Sequence, residues 1–296
     1  MEATLELVAK AAVLVFVVAC MLTAGLGLGV RDVVSPLRRA RLLAFALVAN
    51  FVAAPAIAWA LATALDLSAP HAFGLLLLGA AGGAPFLSKL AELARGDVAF
   101  SVGLMLLLTV GSAAFMPVAL PVLVPGLSVG AWPILRPILA TMLLPLGIGM
   151  LVRAASQRWA DHFRSPVARV SNLSVVVAVV LLIGLNFRAM LGTFGSGAVA
   201  AALLFVLATL AIGYALGGPG PATRSVLGLG TGQRNVAAAL IVATGNSDDP
   251  EVVIMILVST LVGLAVLLPA ARYFARPRAG DGMVTTDAGR PAEVVR

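Results

Sequence analysis

Apolar residues run along the chain in nine blocks, at about 8–30, 42–64, 72–95, 98–124, 131–152, 170–187, 195–217, 224–245 and 251–274. Short polar stretches of Arg, Asp, Ser, Gly and Pro separate them. A hydrocarbon span needs roughly 20 apolar residues, so the pattern predicts an all-α polytopic membrane protein with about nine transmembrane helices. Gly and Pro are scattered through the blocks, as membrane helices tolerate where neighbours or cavities satisfy the freed backbone groups. Residues 1–275 read as a single transmembrane domain. Residues 276–296, rich in Pro, Gly, Asp and Thr, read as a disordered cytoplasmic tail.

Composition agrees. Of 296 residues, 61% are hydrophobic and 11% charged, with a mean hydropathy of +1.07. Soluble domains average about 45–50% apolar and about 25% charged residues. One Cys and two His rule out a disulfide scaffold and a zinc module, and no metal or cofactor is expected. Cys20 lies inside the first block and reads as an inert packing residue. Val17-Val-Ala-Cys20 looks like a lipoprotein cleavage box, but the apolar run continues to Val30 and a cut there would discard half a span. The net charge of +7 does not point to nucleic acid, because the cations sit in short clusters between apolar blocks.

Those clusters orient the chain. One alternate set of connections carries Arg31, Arg38, Arg39 and Arg41; Arg95; Arg153, Arg158, Arg164 and Arg169; Arg224; and Arg272, Arg276, Arg278, Arg290 and Arg296. The opposite set carries Lys10, Arg136 and Arg188 with acidic Asp66, Asp248, Asp249 and Glu251. The positive-inside rule therefore predicts a multi-pass cell-membrane protein with its N-terminus outside and its C-terminus in the cytoplasm.

Two blocks are interrupted alike. The third contains Gly79-Ala-Ala-Gly82-Gly83-Ala-Pro85-Phe-Leu-Ser88-Lys89, and the eighth Gly228-Leu-Gly230-Thr-Gly232-Gln233-Arg234-Asn235. With four spans between them, the breaks fall in oppositely directed helices. Paired breaks of this kind predict an inverted repeat, about 8–124 and 131–274, with a site near the bilayer midplane. Glycines alone also serve close helix packing, but packing does not explain a cation after each break.

Lys89 and Arg234 are the cations placed within blocks rather than at their ends. Each costs roughly 2.5–3.5 kcal/mol at a helix centre on the insertion scale. If both line one cavity about 6 Å apart, they repel by about 3 kcal/mol at an effective dielectric of about 20, so an anion is needed between them. Glu92, one helical turn after Lys89, is either its ion-pair partner and a proton site, or an interfacial carboxylate with no further role.

These motifs resemble the bile acid:sodium symporter family over nearly the whole chain. The resemblance rests on Gly25-Leu-Gly27-Leu-Gly29 with Arg31-Asp32 and Pro36, and on Asn50-Phe51-Val-Ala-Ala-Pro55. It continues with Gly82-Gly83-Ala-Pro85-Phe-Leu-Ser88-Lys89, then Ala94-Arg95-Gly96-Asp97-Val98-Ala99-Phe100-Ser101, and finally Gly230-Thr231-Gly232-Gln233-Arg234-Asn235. It implies a core domain with two crossed, discontinuous helices, a panel domain, and alternating access for organic anions. Ten-span members carry one more N-terminal helix than the nine read here.

The departures bear on coupling. In sodium-coupled members the resemblance places ligands at a Ser-Asn pair, at a Ser and Thr on the next helix, at a Glu and Gln of the second broken helix, and at an earlier Gln. Ser88 and Ser101 are kept here, whereas Lys89, Met105, Gly230, Arg234 and Asn50 stand at the other positions. The expectation is a sodium-independent secondary transporter of small organic anions, with Lys89 and Arg234 as fixed cations in place of sodium. Its substrate-binding residues would be Asn50, Ser88, Lys89, Ser101, Gln233, Arg234 and Asn235, and its helix breaks Gly82, Gly83, Pro85, Gly230 and Gly232. A sodium-coupled symporter with other ligands and a non-transporting membrane sensor are the alternatives. An enzyme is not expected, since His71 and His162 fall near opposite faces and no two carboxylates converge. The expected partners are the bilayer and a small organic anion, with no nucleic acid. Substrate identity and oligomeric state are not legible.

Overall fold

The computed structural model describes residues 2–29, 39–84, 86–124, 131–193 and 195–276. The Arg31–Arg38 part of the first connection, the break residue Pro85 and the tail beyond Arg276 lie outside the described residues. The described residues form helices and no strand. In chain order these are α1 (Glu2–Gly27), α2 (Ala40–Ala64), α3 (Ala69–Ala80), α4 (Leu87–Leu93) and α5 (Val98–Leu123). After them come α6 (131–155), α7 (Gln157–Gly192), α8 (Ala198–Leu216), α9 (Pro221–Gly232), α10 (Val236–Asn246) and α11 (Pro250–Phe274).

Seven of the described helical stretches are long and apolar enough to cross a membrane: Thr4–Gly27, α2, α5, Leu135–Ala155, α8, α9 with α10, and α11. The protein is a multi-pass membrane protein. The third predicted block is instead two pieces, α3 and α4, and the sixth lies inside α7. The 153–169 connection, expected as a loop, is mostly helix. Only Ser156, extended at φ −158° and ψ 112°, separates α6 from α7. Gln, Arg, Ala, Asp and His after it sustain a helix, which runs through Pro166 into the apolar block.

Proline shapes two spans. α2 contains a π turn over Ala49–Ala53, in which the Ala54 amide reaches the Ala49 carbonyl, just before Pro55. α6 repeats the device over Leu139–Leu143, just before Pro145. Proline offers no N–H to the preceding turn, and a widened turn absorbs the defect. In α2 it places Asn50 in the interior.

Two packing groups are evident. α1 lies along α6 and α7. Its crossing with α6 is a backbone contact at Gly25 and Gly149, where a Cβ on Gly149 would sit 2.6 Å from the Leu22 carbonyl. The other group joins α8 to α9 and α11, and α3 to α2 and α11. α9 and α10 form its centre: they are the most buried of the seven spans, although the least apolar. Outward-facing Leu7, Val118, Val122, Leu151 and Leu173 are exposed, as a lipid-facing surface requires.

Connections that the charge pattern groups together meet in space. Arg39 bonds Asp97 at 2.8 Å, and the Asp97 amide reaches the Ala222 carbonyl. Arg153 joins Asp161 to the Leu26 carbonyl. At the other end, Gly197 lies against Leu65 and Leu67.

Candidate functional site

The two breaks touch. Residues 81–86 separate α3 from α4, and Gln233, Arg234 and Asn235 separate α9 from α10. The Asn235 amide donates to the Ala81 carbonyl at 2.8 Å, bonding one break to the other. Gly83 takes φ +82°, and a Cβ there would collide with the Thr109 backbone amide, so only glycine fits. Asn235 caps α10 by accepting from the Ala238 amide at 3.1 Å.

Breaking α3 frees carbonyls at its end and in the break beyond it, and Leu78, Gly79, Gly82 and Gly83 find side-chain donors. Arg234 Nε donates to the Leu78 carbonyl at 2.8 Å and its Nη2 to Gly79 at 2.6 Å. Ser112 Oγ donates to the Gly82 carbonyl and accepts from the Gly82 amide. Thr109 Oγ1 and Asn235 Nδ2 both donate to Gly83. A break in hydrocarbon is tolerable only when its backbone is satisfied in this way.

Arg234 holds this arrangement together. Its residue is 6% exposed. Nη1 donates to Asn50 Oδ1 at 2.8 Å and to the Thr231 carbonyl at 3.2 Å. Asn50 in turn donates to Thr231 Oγ1 and to the Ala46 carbonyl. No carboxylate pairs with Arg234 among the described residues; its charge faces the carbonyl ends of α3 and α9, where helix dipoles place partial negative charge.

The predicted residues divide. Asn50, Arg234 and Asn235 meet with Gly82 and Gly83 at the crossing. Ser101 is buried, but its hydroxyl is spent on the Val98 carbonyl at 2.7 Å. Ser88 is half-buried on α4, and Gln233 is half-buried with its Oε1 unpartnered. Gly230 is packed against Leu87 and Leu104, and Gly232 against Leu210 and Leu267.

Lys89 is not brought to Arg234. Its side chain is 69% exposed and pairs with Glu92 at 2.9 Å, itself 51% exposed. The reason is the face of α4. Leu87, Leu90 and Ala91 are buried at helical spacing, which turns Lys89 and Glu92 outward. The single cavity expected for both cations is therefore corrected to a buried Arg234 and an exposed ion pair.

Thr109, Ser112 and Thr231 also belong to the crossing and were not anticipated. A signal existed in α5: Ser101, Met105, Thr109 and Ser112 recur at helical spacing on one buried face.

A family model described as Sodium Bile acid symporter family matches residues 13–193, more than half of the chain. The match holds the first break and α5 and ends before the second break. No curated protein matches the chain.

Proposed function

Since the chain belongs to the sodium bile acid symporter family, we propose that it is a secondary transporter of small organic anions in which Arg234 stands as a fixed cation in place of sodium. The observation that carries this reading is the guanidinium itself. It occupies the crossing with bonds to Asn50, Leu78, Gly79 and Thr231, a net that a bound cation would otherwise have to stabilise. The resemblance puts a sodium ligand at both Asn50 and Arg234. A mobile hard cation needs free oxygen ligands, and here those of the first break already accept from Arg234, Ser112, Thr109 and Asn235. Gly230, where the resemblance places a carboxylate, faces two leucines.

Lys89 lies outside this arrangement, so the reading rests on Arg234 alone. We take the α1–α6–α7 group as the panel and the group around α9 and α10 as the core, each drawing helices from both halves of an inverted repeat, about 8–124 and 131–274. Alternating access is then a rocking of one group against the other, with the crossing moving as a unit. The cationic connections support an N-terminus outside and a C-terminus in the cytoplasm.

The test is counterflow in proteoliposomes with radiolabelled monocarboxylates, dicarboxylates and sterol acids. Sodium is replaced by potassium or choline at constant ionic strength. Uptake of the transported anion is expected to be unchanged. Flux that requires sodium and saturates with it overturns the fixed-cation reading, and absence of flux for every anion favours the sensor alternative.

A further inference from the structure

Beside the guanidinium, on the side facing α8 and α11, lies a cavity of about 60 Å³. Its walls are largely apolar, from Leu78, Phe205 and Leu267, with Gln233, Arg234, Ser259 and Thr260 as polar members. Two of these polar groups lack partners: Gln233 Oε1 and Ser259 Oγ are buried and unbonded. Ser259 is 5% exposed, and its failure to bond is unusual for its surroundings. The neighbouring hydroxyls of Thr209, Thr231 and Thr260 each turn back to a carbonyl of their own helix. A buried hydroxyl that makes no bond carries a desolvation cost, which a ligand removes.

The charge beside the cavity selects the ligand. Four of the five guanidinium N–H groups are used within the crossing, which leaves one N–H of Nη2. No acidic side chain lines the cavity, so a cation entering it would meet a fixed positive charge in an apolar wall. The available groups are donors: the remaining Arg234 N–H, the Ser259 hydroxyl, and the Gln233 amide, whose nitrogen and oxygen exchange by a half-turn. The volume is several times the roughly 10–15 Å³ a single water needs and far too small for a multi-ring anion.

We infer that this cavity is a binding site for a small inorganic monovalent anion, a halide, held by Arg234, Ser259 and Gln233 as the counter-ion of the buried guanidinium. It is separate from any multi-ring organic anion, which does not fit. The site stands on the geometry at Arg234 and not on the transport reading, so the two fail independently.

The first experiment needs no variant. The melting temperature of detergent-purified protein is measured in chloride, bromide and gluconate at constant ionic strength. A saturable rise with chloride and bromide over gluconate is expected. Equal melting in all three overturns the site and leaves water as the occupant. The second experiment measures binding of radiolabelled chloride to the wild type and to Ser259→Val and Gln233→Leu, with Thr209→Val, a buried hydroxyl outside the cavity wall, as the control. Saturable binding is expected in the wild type and the control. Loss of one hydrogen bond to a charged group should weaken binding roughly tenfold in Ser259→Val. Unchanged affinity in both site variants, or an anomalous bromide peak elsewhere in a crystal, reduces the finding to an adventitious ion only.

Discussion

The two breaks share a sequence plan, small residues and then a polar and cationic run, yet their cations end differently. Arg234 is buried among carbonyls of both broken helices, whereas Lys89 is exposed beside Glu92. The difference lies in where each cation sits relative to the glycines. At the second break the cation is in the unwound segment itself, so its side chain reaches across to α3. At the first, Lys89 is already inside α4, and the apolar face of that helix decides where it points. A cation near a break is thus part of the crossing only where it replaces helical backbone bonds.

The largest effect is expected at Arg234. Arg234→Met keeps much of the aliphatic stem but leaves the Leu78 and Gly79 carbonyls and Asn50 without their donors. Removing one member of a buried charged network costs roughly 3–5 kcal/mol, to be read as a lowered melting temperature together with loss of anion flux. Arg234→Lys retains the charge but not the planar fork and should recover only part of the loss. Wild-type stability in Arg234→Met would mean that the crossing does not depend on this side chain.

Adjacent glycines sharpen the comparison within the first break. Gly83→Ala must hold φ near +82° and push against Thr109, so a loss of at least about 1–2 kcal/mol is expected. Gly82→Ala meets Asn50 and Ser112 only at 3.5 Å, ordinary contact, and should cost far less. Equal melting temperatures for the two variants would remove the special role of Gly83. Asn235→Ala loses a helix cap and a bond to the Gly83 carbonyl, for an expected cost of about 1–2 kcal/mol by the same measurement.

The helical class and the position of both breaks were legible because hydrophobic block length and glycine clustering are local properties. The partnership of Asn50 with Arg234 joins residues 184 apart in sequence, and no local pattern reports it. Ser112 and Thr109 were hidden for a related reason. Hydroxyls in apolar helices ordinarily bond their own preceding turn, and only the neighbouring break shows that these two serve its carbonyls. The turn of Lys89 away from the interior was readable: Leu87, Leu90 and Ala91 already define the buried face of α4. Giving weight to charge over that apolar spacing placed Lys89 in the wrong environment.

The smallest effect is expected at the exposed pair, and it bears most directly on the contrast between the breaks. Lys89 and Glu92 are one turn apart and both largely exposed, so their attraction is screened and offset by the side-chain order it requires. A double-mutant cycle with Lys89→Ala and Glu92→Ala should give a coupling below about 1 kcal/mol in melting experiments, diminishing as salt is raised. Anion flux in the double variant should stay close to that of the wild type, because neither side chain bonds to the crossing. Glu92→Ala alone separates two roles for the carboxylate: a shift in the pH dependence of flux marks a proton site, whereas an unchanged profile marks a partner for Lys89 only. A collapse of flux in Lys89→Ala, with the fold intact by melting temperature, would return this cation to the transport site and erase the distinction between the two breaks.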